Sequence, residues 1–225
     1  MTATARWRPL ASIALAQALA LGSCTSASAQ DIPGYPANVE GYDPREVALL
    51  PPYCKYTQLF REKVPGGSNA EEGQRWQAIL GPTFFAMHHY CWGLMKTNRG
   101  VLLARTAPVK AAYLNYSIEE FDWVIQRAPD DFILLPEVLT KKGEVLIRLG
   151  KGPLALVSLE RAAELKPDYW PPYAQMSDFY KSVGDVAKAR TVLEQGLSFS
   201  PDATALKRRL AELGAAGQAH AKPAP

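Results

Sequence analysis

The feature that most constrains this chain is a 34-residue self-similarity in its C-terminal half. Pro167 and Pro201 are 34 residues apart, and the stretches before them align without a gap. In a unit that starts at Pro136, the fourth, eighth, eleventh, twentieth, twenty-fourth, twenty-seventh and thirty-second positions are Leu139, Gly143, Leu146, Ala155, Leu159, Ala162 and Pro167. In the unit that starts at Trp170 they are Tyr173, Ser177, Tyr180, Ala189, Leu193, Gly196 and Pro201. Small and large residues therefore recur in phase, which indicates a repeat architecture.

The spacing of these residues suits paired helices. Small residues at the eighth and twentieth positions let two antiparallel helices approach closely, and large residues fill the space between them. Gly150 and Gly184 fall at the same phase, where a tight helix-helix turn needs glycine. Over residues 136–201 the chain resembles the tetratricopeptide repeat (TPR) family, in an exported bacterial form. The resemblance implies an all-α fold, a right-handed TPR-like α-α superhelix of antiparallel helix pairs.

The resemblance also implies a protein-binding groove, because in this family the first helix of each unit lines the concave face. By phase, the second, fifth, ninth and twelfth positions are Glu137, Thr140, Glu144, Ile147, Pro171, Ala174, Asp178 and Lys181. One subgroup of the family holds a C-terminal carboxylate with Lys and Asn at the fifth and ninth positions. Here Thr140, Glu144, Ala174 and Asp178 occupy those places, so a carboxylate ligand is not expected.

The segments on either side of the two TPR units complete the predicted array. Residues 202–213 are expected to form a capping helix with Lys207, Arg208 and Arg209 facing outward. Residues 214–225 are predicted to be a disordered tail. Upstream, residues 82–135 resemble a degenerate helical pair in a different phase. Because about three stacked repeats are usually needed for stability, we expect these front helices to complete the stack.

The region before that pair is predicted to be an extended lead-in with short helices, over residues 30–81. Asp43 starts a helix that ends before Pro51, and Asn69 is a candidate N-cap for another. Residues 82–99 are so apolar that they predict one helix buried on most of its circumference. An amphipathic helix then begins at Ala107 and closes before Pro129.

The N-terminus, residues 1–29, is typical of a secretory signal peptide. Arg6 and Arg8 precede about a dozen apolar residues, a run too short to span a bilayer permanently. Cleavage after Ala29 fits a small-x-small pattern and predicts a soluble periplasmic protein. Cys24 directly follows the apolar run and resembles a lipobox cysteine, so a lipid anchor in the cell envelope is the alternative.

Charge argues against nucleic acid as a partner. The chain has 25 basic and 22 acidic residues, and loss of Arg6 and Arg8 would leave 23 basic residues against the 22. A nearly neutral chain lacks the basic footprint that nucleic-acid binding requires. We therefore expect another protein or peptide as the partner, no cofactor, and membrane contact only through a lipid on Cys24.

Export also determines how Cys54 and Cys91 are interpreted. As an even pair in an oxidising compartment they predict a disulfide that links the helical front region. Two free buried thiols are the alternative if the chain is not exported. Zinc binding is disfavoured because the pair lacks the close spacing of zinc ligands.

Few residues suggest chemistry. His88 and His89 are adjacent, so on a helix they point about 100 degrees apart and are not expected to converge on one ion. We expect one to be hydrogen-bonded inside the stack and the other to lie near the surface. No catalytic residue is assigned and no enzymatic activity is predicted. The predicted function is an exported TPR scaffold that assembles an envelope or secretion complex, and the alternative is a metal- or cofactor-linked protein using His88, His89 and Cys91.

Overall fold

The computed structural model describes residues 42–221, with side chains described as far as residue 214. Within that part of the chain the regular structure is all helical and no strand occurs. The all-α, TPR-like fold is therefore confirmed. The predicted signal peptide, Cys24 and residues 30–41 of the lead-in lie outside the described residues.

The α-helices within the described range are α1 Pro44–Val47, α2 Ala70–Leu80, α3 Met87–Asn98, α4 Ala107–Ile125, α5 Leu135–Arg148, α6 Gly152–Leu165, α7 Pro171–Ser182, α8 Val186–Phe199 and α9 Thr204–Ala221. Short 3-10 helices cover Pro52–Tyr56 and Gly81–Ala86, and a π-helical turn covers Arg99–Leu103. Both predicted N-caps are confirmed. The Asp43 carboxylate accepts from the Arg45 N–H, and the Asn69 side chain accepts from the Glu72 N–H.

The two predicted TPR units correspond to the helix pairs α5–α6 and α7–α8, and their phased residues make the contacts that the pattern requires. A Cβ placed on Gly143 would lie 2.6 Å from the Leu159 side chain, so only glycine lets α5 and α6 approach this closely. Ala155 and Ala189, at the twentieth position of each unit, are completely buried. The pairs also stack on each other, with α6 packed on α7 and α5 in contact with α7.

The turns inside both units share one hydrogen-bond pattern. Gly150 and Gly184 have positive φ values of 73° and 82°, which favour glycine. The residue after each glycine donates its N–H back to the carbonyl five residues earlier, at 2.8 Å for Lys151 and 2.9 Å for Asp185. This is the Schellman arrangement, which satisfies carbonyl groups left open at a helix end.

The helix after the second unit caps the array but differs from the prediction in two ways. α9 packs on α8 and buries Leu206, and it runs to Ala221, so part of the tail predicted as disordered is helical. Alanine, frequent after residue 214, is the best helix former and extends the helix. Arg209 was expected to face outward. Its side chain instead retains only 22% exposure because it ion-pairs with Asp178 on α7.

The front helices continue the stack. α3 packs on α4, and α4 packs on α5. The single helix predicted for residues 82–99 is wrong, since the chain forms a 3-10 helix, then α3, then the π-helical turn. Gly81 has a positive φ of 62° and Pro82 lacks an N–H, so the chain bends before α3 begins. The π-helical turn then carries Arg99, which is buried against Glu46.

The predicted disulfide between Cys54 and Cys91 is confirmed. It links the first 3-10 helix to α3 across 37 positions, and both cysteines are fully buried. Both belong to a hydrophobic cluster that continues into the first TPR unit at Val138 and Ala162. The disulfide region and the first unit therefore share one core.

Candidate protein-binding face

The eight predicted groove residues lie on α5 and α7, the adjacent first helices of the two units. We call the surface they define the first-helix face. Not all eight are open to a partner. Thr140 is 4% exposed and donates its hydroxyl to the Pro136 carbonyl at 2.7 Å, and Ala174 is 2% exposed. These two residues, both at the fifth position, contribute to helix packing.

Two acidic residues of the first-helix face are already paired within the chain. Glu144 accepts from Lys141 at 3.2 Å and from Arg148 at 2.9 Å. Burial alone would raise the pKa of Glu144, but these two cations outweigh it and hold the pKa below its usual value. Asp178 accepts from Arg209 on α9, with the shortest contact at 2.8 Å. A partner would have to compete for both carboxylates.

The three remaining members besides Glu137 keep part of their surface open and form no ion pair within the described residues. Lys181 is exposed, Pro171 is half-buried at the start of α7, and Ile147 is half-buried against the hydrophobic cluster of the second unit. The first-helix face therefore offers a mixture of apolar and charged groups, as the phase of the repeat indicates.

Glu137, the second residue of the first unit, has different surroundings. The Tyr90 hydroxyl on α3 donates to its carboxylate at 2.6 Å, so the contact joins the front helices to the repeat. Burial raises the pKa of Tyr169, with a contribution from the negative charge of Glu137, to about 12. Burial and the same charge also raise the pKa of Tyr53. Glu137 thus bonds to Tyr90, and its charge acts on Tyr53 and Tyr169.

Sequence reasoning did not connect these tyrosines with Glu137. Tyr90 is 47 positions from Glu137, and Tyr53 lies in a different element again, so no periodic pattern connects them. Tyr169 is visible in the sequence as part of the aromatic cluster that opens the second unit, because it directly precedes the phased residue Trp170.

The adjacent histidines come closer together than their helical spacing predicts. Their ring centroids are 4.2 Å apart, and both rings contact Trp92. His88 is buried and its Nδ1 lies 2.9 Å from the Phe85 carbonyl, so this nitrogen carries the hydrogen. Burial, with a smaller contribution from His89, lowers the pKa of His88 and favours the neutral ring.

His89 belongs to a polar network that was also missed. Its Nδ1 lies 2.6 Å from one Glu120 oxygen, and Lys96 donates to the other. Burial opposes ionisation of Glu120, yet His89 and Lys96 hold its pKa below the usual value. The carboxylate is therefore charged and joins α3 to α4.

A cleft of about 590 Å³ lies beside these histidines. Trp123 lines it and stacks on His89 with ring centroids 3.8 Å apart, and the Arg127 guanidinium lies 3.8 Å from the Trp123 centroid. Phe85 also lines the cleft and is 57% exposed. The polar atoms of this region bond mainly to one another.

The structure also bears on the metal alternative. Among the described residues, no three His, Cys, Asp or Glu side chains come together as a metal site. Cys91 is a disulfide sulfur and so cannot supply the thiolate ligand that this alternative requires. Separately, none of the helices in residues 42–221 is long and apolar enough to cross a bilayer.

The chain matches no protein-family model. It is 30% identical over 105 residues to an Hsp70-Hsp90 organizing protein from Triticum aestivum, which is a TPR protein. That alignment covers 47% of this chain and 17% of the plant protein, so the chain spans less than a fifth of that relative. The similarity agrees with the helix pairs described above: this chain contains TPR-like helical repeats.

Proposed function

We propose that the protein is a non-enzymatic scaffold or adaptor that binds a protein partner through the first-helix face. The observation that carries the proposal is the stack of two phased helix pairs with Lys181, Pro171 and Ile147 accessible along their first helices. The partial similarity to a plant protein named as an organiser of Hsp70 and Hsp90 supports a role in holding other proteins.

We propose no catalytic role for the polar side chains of the front helices. The polar side chains of Glu120, His89 and Lys96 bond to one another across α3 and α4. Such a network stabilises the packing of α3 on α4, and this structural role is sufficient to explain why these three residues lie together.

We further propose that the protein is exported to the periplasm, where it assists assembly of an envelope or secretion complex. Arg6, Arg8 and the apolar run behind them support export. The Cys54–Cys91 disulfide also supports an oxidising compartment, because such bonds are rare in reducing ones. A lipid on Cys24 is the anchored form of the same proposal.

Position-specific crosslinking tests the binding proposal. A photo-crosslinking residue at Lys181 should give discrete adducts in the native cell. The same residue at Arg190, which is exposed on the second helix of that unit, should give few. Equal adducts from both positions, or none from Lys181 in folded protein, would contradict binding through the first-helix face.

Mass spectrometry of the mature N-terminus tests export and anchoring together. Cleavage after Ala29 gives a chain that begins at Gln30, whereas lipidation gives an acylated chain that begins at Cys24. An intact Met1 terminus in native protein would contradict both forms of the proposal.

A further inference from the structure

A second cleft in the front region, of about 540 Å³, is formed by α2, the segment before it and the second 3-10 helix. We call it the amide cleft, because neutral amide and hydroxyl side chains make up most of its polar lining. They are Gln58, Ser68, Asn69, Gln74 and Gln77. Its volume lies within the range of small-ligand pockets, roughly 300–1,000 Å³.

The charges that line the amide cleft compensate each other. Arg61 and Glu62 both line it and form an ion pair at 3.9 Å, so together they contribute no net charge. No other Lys, Arg, Asp or Glu among the described residues lines the cleft. A charged ligand would lose water here without gaining a free counter-charge, so the lining is suited to a neutral ligand.

The amide groups of the cleft are largely unused within the protein. Gln74 and Gln77 are three positions apart on α2, so their side chains lie on one face of that helix. Within residues 42–214, neither these two side chains nor that of Gln58 form a hydrogen bond with another residue. The Asn69 carbonyl oxygen caps α2, which leaves its NH2 group to donate elsewhere. Each amide can both donate and accept, so the set matches a ligand that carries many hydroxyl groups.

Gly73 keeps space in the amide cleft open. It lies inside α2, where glycine is less favourable than alanine because it leaves the unfolded chain more freedom. Neither packing nor backbone conformation requires glycine there, since a Cβ would meet no heavy atom within 4 Å and φ is not positive. Because Gly73 lines the cleft, a longer side chain at this position would occupy space that a ligand can use.

An exposed aromatic ring completes the lining. Phe85 is 57% exposed, whereas its neighbour Phe84, which also lines the cleft, is 6% exposed. The Phe85 backbone is held in place, because its carbonyl accepts from His88 Nδ1 at 2.9 Å. A sugar ring has a face of C–H groups, whose partial positive charge is attracted to the negative face of an aromatic ring. Its hydroxyl groups lie around the edge of the ring, where each can donate and accept.

We propose that the amide cleft binds a neutral saccharide, with one sugar ring stacked on Phe85 and its hydroxyl groups bonded to Gln58, Gln74 and Gln77. A peptide backbone offers one N–H and one carbonyl per residue, whereas a sugar ring brings several hydroxyl groups into the same volume and so matches the amides better. Gln58 and Phe85 also line the cleft beside His88 and His89, so a chain of two or three sugars can continue across Phe85. The site lies apart from the first-helix face and does not depend on the proposed function.

Titration with trisaccharides tests the proposal. Triacetylchitotriose, cellotriose and maltotriose are each added to the full chain and followed by amide NMR shifts, beside trigalacturonic acid and a blocked Ser-Gln-Ser tripeptide. At least one neutral sugar should shift the resonances of Gly73 and Phe85 and bind at least about tenfold more tightly than the acidic sugar or the peptide. Equal or tighter binding of the peptide would overturn the proposal and indicate a peptide groove. No shift from any neutral sugar up to about 10 mM would also overturn it.

Matched glycine variants test whether the ligand occupies the cleft. Gly73→Leu fills the cleft without a clash, so the chain should stay folded while saccharide binding weakens at least about tenfold. Gly214→Leu makes the same change on α9, where a Cβ also meets no heavy atom within 4 Å, and should leave binding unchanged. Parent-like binding by folded Gly73→Leu would show that the ligand lies elsewhere and would overturn the site.

Side-chain variants test the two kinds of contact. Phe85→Ala should weaken saccharide binding and Phe85→Trp should restore it, because tryptophan again provides an aromatic face. Gln74→Ala combined with Gln77→Ala removes two amides from exposed positions and should weaken binding about fivefold or more. Gln195→Ala, at an exposed position on α8, should have no effect. Binding that survives both Phe85→Ala and the double glutamine variant would overturn the proposal.

Discussion

The repeat, residues 135–199, and the front, residues 42–125, are held together differently. In the repeat, the same turn and the same burial of small residues recur 34 positions apart. In the front, segments that are distant in sequence are joined by individual contacts that do not recur. The Gly150 and Gly184 turns and the buried Ala155 and Ala189 are pairs of equivalent features. The front also contains small-against-large contacts, such as Gly93 against the Phe121 ring, but this contact has no phased equivalent.

The links of the front are long in sequence and chemically varied. Arg99 bonds to Glu46 across 53 positions, Trp92 donates to Tyr42 across 50, and the disulfide spans 37. None of these three contacts has a phased equivalent. The difference indicates that the repeat is stabilised by many equivalent contacts, whereas the front depends on a few individual ones.

The largest expected effect comes from breaking the buried ion pair of the front. Both side chains are nearly inaccessible, at 1% for Arg99 and 3% for Glu46, and they bond at 2.6 and 2.8 Å. Glu46→Gln leaves the buried guanidinium without this carboxylate and should cost about 3–5 kcal/mol of unfolding free energy. Urea denaturation measures the loss.

Two further variants separate lost charge from lost packing. Replacing both partners, with Glu46→Leu and Arg99→Met together, should recover most of the stability, because a well-packed apolar pair can substitute for a buried ion pair. Glu194→Gln on the exposed face of α8 should change stability by less than about 0.5 kcal/mol. A loss below about 1 kcal/mol in Glu46→Gln would mean that the front does not depend on this link.

Removal of the disulfide tests whether the two regions lose stability separately. Cys54→Ala with Cys91→Ala opens a loop of 37 positions and should cost about 3–4 kcal/mol, mainly through the entropy of the unfolded chain. Hydrogen exchange should quicken most in α3 and the first 3-10 helix, while α7 and α8 keep their protection. Parent protein refolded under reducing conditions should behave in the same way. Uniform loss of protection would show that the shared core couples the regions more strongly than the links suggest.

The same contrast explains what could be predicted from the sequence. The repeat was predictable because its contacts, such as Gly143 against Leu159, follow a fixed spacing between neighbouring helices. The disulfide was predictable from the number of cysteines together with the predicted signal peptide. The Glu120 network and the Tyr90 contact with Glu137 were not, because they depend on which distant segments meet. Helical spacing alone also did not predict that the rings of His88 and His89 both contact Trp92.

The smallest predicted effects compare one glycine from each region. Gly143→Ala gains helix propensity but places a Cβ 2.6 Å from Cγ of Leu159, which is completely buried. We expect a net loss of about 1–3 kcal/mol of unfolding free energy from overpacking.

Gly73→Ala, within α2 of the front, places its Cβ where no heavy atom lies within 4 Å. Because alanine restricts the unfolded chain, this variant should gain about 0.4–1 kcal/mol. The midpoint temperatures of thermal unfolding should shift in opposite directions in the two variants, downward for Gly143→Ala and upward for Gly73→Ala. Shifts of the same sign would show that the close approach of α5 and α6 is not what the repeat requires of its eighth position.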